Sequence, residues 1–195
     1  MKKYIWWAVC AVLLLSVLAV INVKAGPAST PSVVFNEKPF YLQYSDGSAA
    51  LWINEYLPAG ATFDNYTEMI ALRSYDGTSA EWTPMDLANA IGKNYEKEYP
   101  NTKYLLLNNP KTGEGIVDFI MATDSIFEHN LFRTTRGNNG VLVSLQHVYR
   151  MYPPKAGEAR AAAMKTFSAT VKSNREAWLN MLGAMPVPAV VRTKK

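Results

Sequence analysis

Met164, Phe167, Val171, Trp178 and Leu182 recur at spacings of 3, 4, 7 and 4, so they form one continuous apolar stripe. The stripe predicts a helix over roughly residues 156–182, about 40 Å long at 1.5 Å per residue. An amphipathic helix of that length needs a broad apolar partner surface, and a sheet supplies one. Gly183 is the expected stop.

The chain before this helix supplies the sheet. Residues 33–44 are rich in β-branched and aromatic side chains, and Ser45-Asp46-Gly47-Ser48 is a turn sequence. A second strand follows over 50–57. Alternation places Leu51, Ile53 and Leu57 on one face and Trp52, Asn54 and Tyr56 on the other. Asp64 suits the cap of a short helical turn, and residues 69–75 read as a strand closed by Asp76-Gly77. Thr83, Pro84 and Asp86 make a capping box with proline at the first helical position. Leu87, Ile91 and Tyr95 give that shorter helix its stripe, and Pro100 ends it. Strands are expected over 103–107, 116–123, 127–135 and 141–152, with turns at Gly113-Glu114-Gly115 and Asn139-Gly140. The fold class is α+β: a single antiparallel sheet of six to eight strands packed against a long C-terminal helix and one shorter helix.

Lys2 and Lys3, the apolar run Ile5–Val23 and the small residues Ala25 and Gly26 have the layout of a secretory signal. An uncleaved N-terminal anchor is the alternative, since a 19-residue run with only Ser16 and Asn22 clearly polar also suffices to span a bilayer. Both place the following domain outside the cytoplasm, periplasmic or secreted, or held at the inner membrane by that segment. The expected layout is a signal or anchor over 1–25, a linker over 26–32, one domain over 33–185 and a flexible basic tail over 186–195. The single cysteine, Cys10, falls inside the signal, so the domain is without thiol or disulfide chemistry. Three of the 20 basic residues also fall there, leaving 17 against 16 acidic ones. That balance gives no warrant for a nucleic-acid partner. Membrane contact is expected only through residues 5–23, if these are retained.

The segment Glu55-Tyr56-Leu57-Pro58-Ala59-Gly60-Ala61-Thr62-Phe63-Asp64-Asn65-Tyr66-Thr67-Glu68-Met69 resembles a stretch found in small exported bacterial proteins, mostly uncharacterised. There a strand ends in a Pro-x-Gly turn and an aromatic helical turn leads into the next strand. The order of elements is also similar to the PsbP-like fold. These resemblances imply a fold and a compartment, and no catalytic residue.

Few residues offer chemistry. His147 alternates with Val143, Leu145, Tyr149 and Met151 and belongs to the apolar set, whereas His129, beside Glu128 near a turn, is expected at solvent or an edge. Asp118 interrupts the apolar set of Ile116, Ile120 and Ala122; it either faces solvent or pairs with Arg133 or Arg150. A hydrolase reading requires Asp118 and His147 to converge within about 3 Å or one water. Tyr44, Trp52 and Tyr56 are candidates for one open aromatic face. No nucleophile elbow, dinucleotide loop or calcium loop is present, and no cofactor is expected. The expected function is non-enzymatic binding of another envelope or secreted protein, as an adaptor or an immunity-type protein. A small-molecule or lipid carrier with its cavity between sheet and helix is the alternative.

Overall fold

The computed structural model describes residues 30–78 and 80–192, so the segment expected to be a signal or anchor, 1–25, and the first residues of the expected linker, 26–29, lie outside the described residues. Eight strands and two helices follow in the order β1 (Ser32–Phe35), β2 (Lys38–Gly47), β3 (Trp52–Pro58), β4 (Glu68–Tyr75), α1 (Pro84–Glu98), β5 (Tyr104–Asn108), β6 (Gly115–Ala122), β7 (Phe127–Arg136), β8 (Leu142–Met151) and α2 (Gly157–Ala184). All strands form one antiparallel sheet ordered β1-β2-β3-β4-β8-β7-β6-β5. The α+β class with a long C-terminal helix and a shorter one is what the structure has. No helix among the described residues is long and apolar enough to cross a membrane.

The two helices lie on opposite faces of the sheet. Phe167, Val171, Trp178 and Leu182 of α2 bury against Tyr56, Ile70, Leu72, Leu131 and Leu145. The sheet rolls around this layer, because Phe35 on edge strand β1 reaches His147 on β8, with ring centroids 4.5 Å apart. On the other face Leu87, Ala88 and Ile91 of α1 pack against Val117, Phe119 and Phe132. Gly92 permits that approach: a Cβ there would meet the Tyr104 ring at 2.5 Å.

The capping box of α1 is formed as expected. The Asp86 amide donates to Thr83 Oγ1 at 3.1 Å, and the Thr83 amide donates to Asp86 Oδ2 at 2.9 Å. Hydrogen bonds from Thr83 hold the Asp86 carboxyl below its ordinary pKa. Thr83→Ala is expected to lower stability by about 1 kcal/mol. Urea denaturation would show this as a lower midpoint at unchanged slope.

Several expectations need correction. Residues 33–44 are two strands, split by a turn at Asn36 and Glu37 with φ of 51° and 60°. Asn36 suits that region but a glutamate there is uncommon, so only the first turn residue carries a composition mark. The helical turn before β4 is closed by Asn65 rather than Asp64, with the Thr62 amide donating to Asn65 Oδ1 at 2.8 Å. Gly183 lies inside α2. The helix ends where Arg133 of β7 donates to the carbonyls of Leu182 (3.3 Å) and Met185 (2.6 Å), a side chain doing the work of a C-terminal cap. The tail expected to leave the domain instead lies along it as far as Arg192. The Val191 amide donates to Asn54 Oδ1, and its carbonyl accepts from Asn54 Nδ2 and Trp52 Nε1.

Candidate functional site

Register decides which candidate residues meet. Asp118, Leu131 and His147 occupy one row across β6, β7 and β8, on the face covered by α2. One strand separates Asp118 from His147, so their backbones are about 10 Å apart at ordinary strand spacing. Asp118 instead pairs with His129, whose Nε2 lies 2.9 Å from Oδ1, and with Arg175 of α2, whose Nε donates to Oδ2. Only 5 % of the Asp118 side chain is exposed. It is thus a buried carboxylate held from two sides, and its cation is Arg175 rather than Arg133 or Arg150. Those two arginines pair with Glu114 and Glu128.

His129 is fully buried, contrary to the expectation of an edge position, because β7 is covered by α1 on one face and α2 on the other. Its ring stacks on Trp178 at 5.6 Å, and the Trp178 ring also lies 5.0 Å from His147 and 5.3 Å from Tyr149. His147 sits in the core as alternation indicated. Neither of its ring nitrogens has a hydrogen-bond partner among the described residues. Burial, with a lesser push from His129 and Lys38, drives its pKa down to about 3.

The three aromatic candidates do not share a face. Tyr56 is 1 % exposed, inside the α2-side core. Trp52 lies on that same face, its indole donating to the Val191 carbonyl and the Arg192 guanidinium 5.5 Å over its ring. Tyr44 is on the opposite face, directly across from Glu55, because a bulge between Leu42 and Tyr44 shifts the register.

Two surfaces emerge that the candidate residues alone do not define. One lies at the β5 end of the sheet, where α2 no longer covers the face. Leu105 (57 % exposed) and Leu107 (41 %) follow each other on one face of β5, and Ile120 (37 %) lies diagonally from Leu105 on β6. Beside them a cleft of about 500 Å³ opens against α2, walled by Leu105, Asp118, Ile120, His129, Val171 and Arg175. Asp118 thereby fixes the one arginine that lines this apolar cleft.

The other is a polar relay on the α1 side of β3, β4, β7 and β8, buried at Glu128, Asn130 and Gln146 and partly exposed at Glu55, Arg73 and Arg150. Arg73 Nη1 donates to Gln146 Oε1 (2.6 Å), Gln146 Nε2 to Asn130 Oδ1 (2.7 Å), and Asn130 Nδ2 to Glu128 Oε2 (3.4 Å). Arg150 closes the relay on Glu128, with its guanidinium 4.0 Å over the Tyr66 ring. Glu55 stands at the other end, 3.9 Å from Arg73 Nη2. Alternation in the sequence already set Glu55 between the apolar residues Ile53 and Leu57, and that interruption was the available clue.

The sequence profile of an uncharacterised bacterial protein family matches residues 28–187, a span holding every strand and both helices. The chain belongs to this family. No curated protein matches the chain. In this family member the matched span runs past α2 into the segment that returns to β3, so both surfaces fall within it.

Proposed function

We propose that this family member is a non-enzymatic domain, exported to the cell envelope, that binds another protein through the β5 end of its sheet. The observation that carries the reading is the row of Leu105, Leu107 and Ile120, exposed on and beside a terminal strand and next to an open cleft. Among the described residues strand β5 has no neighbour on its outer side, which leaves its backbone groups open to a partner's extended segment. The strand carries Tyr-Leu-Leu-Leu-Asn and has no proline or charge to discourage such pairing. Lys103 and Arg175 flank the apolar row, each already paired with a carboxylate (Glu96 and Asp118), so the surface favours a segment with apolar side chains.

The layer between sheet and α2 is filled by Phe127, Tyr149, Phe167 and Trp178 in mutual ring contact, which favours protein binding over an internal carrier cavity. The basic start and apolar run of residues 2–23 support export through a signal peptide, periplasmic placement being the simplest outcome. The order of strands and helices is what supports the finer PsbP-like comparison.

A photo-crosslinking residue placed at Leu105 in cells, with another at exposed Glu158 on α2 as control, tests the reading. A discrete adduct from position 105 alone, abolished by Leu107→Asp, is the expected result. Equal adducts from both positions, or none at 105, would count against this surface. Leu107→Asp is expected to leave the melting temperature within about 1–2 °C, because the side chain is already exposed.

A further inference from the structure

The Glu55–Arg73 pair is unusual among the ion pairs of this chain because it stops short of contact. Its 3.9 Å separation is too long for a hydrogen bond. Glu55 accepts no hydrogen bond from any described residue, although only 22 % of its side chain is exposed. Arg73 is not free to swing, since its Nη1 is tied to Gln146 and its guanidinium lies 5.7 Å over Phe132. An acceptor and a donor, both partly exposed, are therefore held side by side without bonding to each other. Burial raises the Glu55 pKa against the opposing pull of Arg73 and Arg150, as an under-solvated carboxylate requires.

The surroundings narrow what fits against this pair. Tyr44 stands directly across from Glu55, and Phe63, 42 % exposed, meets both Tyr44 and Tyr66 edge-on at 6.5 Å. Glu55 and Glu128 stand against Arg73 and Arg150, and Asp46 beside them accepts from the Tyr44 hydroxyl at 3.4 Å, so the cluster has no surplus positive charge to attract an anion. An apolar ligand would cover the carboxylate and guanidinium and leave both unsatisfied. We propose that this face is a binding site for a neutral carbohydrate. One ring hydroxyl donates to Glu55, the adjacent one accepts from Arg73, and the apolar face of the sugar lies on Phe63 and Tyr44. The Gln146–Asn130–Glu128–Arg150 relay holds Arg73 in place beforehand, which lowers the ordering cost of binding.

The site is on the opposite sheet face from the Leu105 row, and the two readings stand or fall separately. Calorimetric titration of the protein made from the full sequence with chitotriose, maltotriose and cellotriose tests the proposal. Saturable binding of at least one is expected, weakened at least tenfold by Phe63→Ala and by Glu55→Ala and unchanged by Leu107→Asp. Phe63→Ala removes an exposed ring and is expected to fold normally, so it keeps the test decisive even where Glu55→Ala does not fold. Absence of saturable binding by all three sugars would overturn the proposal. So would affinity that both substitutions leave unaltered.

Discussion

Trp178→Ala is expected to cost the domain about 3–5 kcal/mol, the range for truncating a large buried aromatic. Trp178 is 4 % exposed and touches His129, His147 and Tyr149, thereby joining α2 to both β7 and β8. Its removal leaves a cavity lined by two imidazoles, a poor surface to collapse upon. Urea unfolding at pH 7 would show the loss directly. At about 2–4 °C per kcal/mol for a domain of this size, the melting temperature should fall by roughly 10 °C. Trp52→Ala should cost less, since Trp52 is only half-buried beneath the tail.

The second large effect depends on acidity. His147 is buried neutral, with its pKa lowered from 6.5 to about 3. Between those values the unfolded chain binds a proton that the native protein refuses. The stability His147 contributes is therefore intact above about pH 6.5 and is lost as pH falls toward 3. At about 1.4 kcal/mol per pH unit, the loss approaches 5 kcal/mol across the whole window. Glu55, whose pKa burial raises from 4.5, acts in the opposite sense above pH 4.5, so the histidine is isolated by comparing two proteins that share Glu55 over pH 6.5 to 4.5. His147→Phe keeps the stack on Phe35 and removes the titration. Denaturation midpoints should converge for the two proteins near pH 7 and separate in favour of the variant at pH 4.5. Parallel curves over that range would show that His147 is not the group responsible.

The elements could be read from the residues because their ends are marked by local chemistry. Thr83-Pro84 with Asp86 announces α1, the Gly113-Glu114-Gly115 and Asn139-Gly140 turns separate strands, and the Phe167–Leu182 stripe sets α2 across the sheet. What escaped was decided at a distance. Arg133 ends α2 from a neighbouring strand, and Asn54 anchors Val191 from 137 residues away. The α2-side core histidine His147 was recognisable because the alternation of β8 is clean. His129 was not, since a strand covered on both faces has no polar side to betray direction. Tyr44 was assigned to the wrong face by one extra residue, and that same bulge places it beside Glu55. The Asp118–Arg175 pair spans 57 residues, and no spacing rule connects them.

Both ends of the described chain gather on one half of the molecule. Ser32 opens the terminal strand β1, while Val191 is fastened to β3 two strands away. The sequence beyond the described residues therefore joins the domain at that half on both sides, and the border formed by β5 lies across the sheet from both junctions.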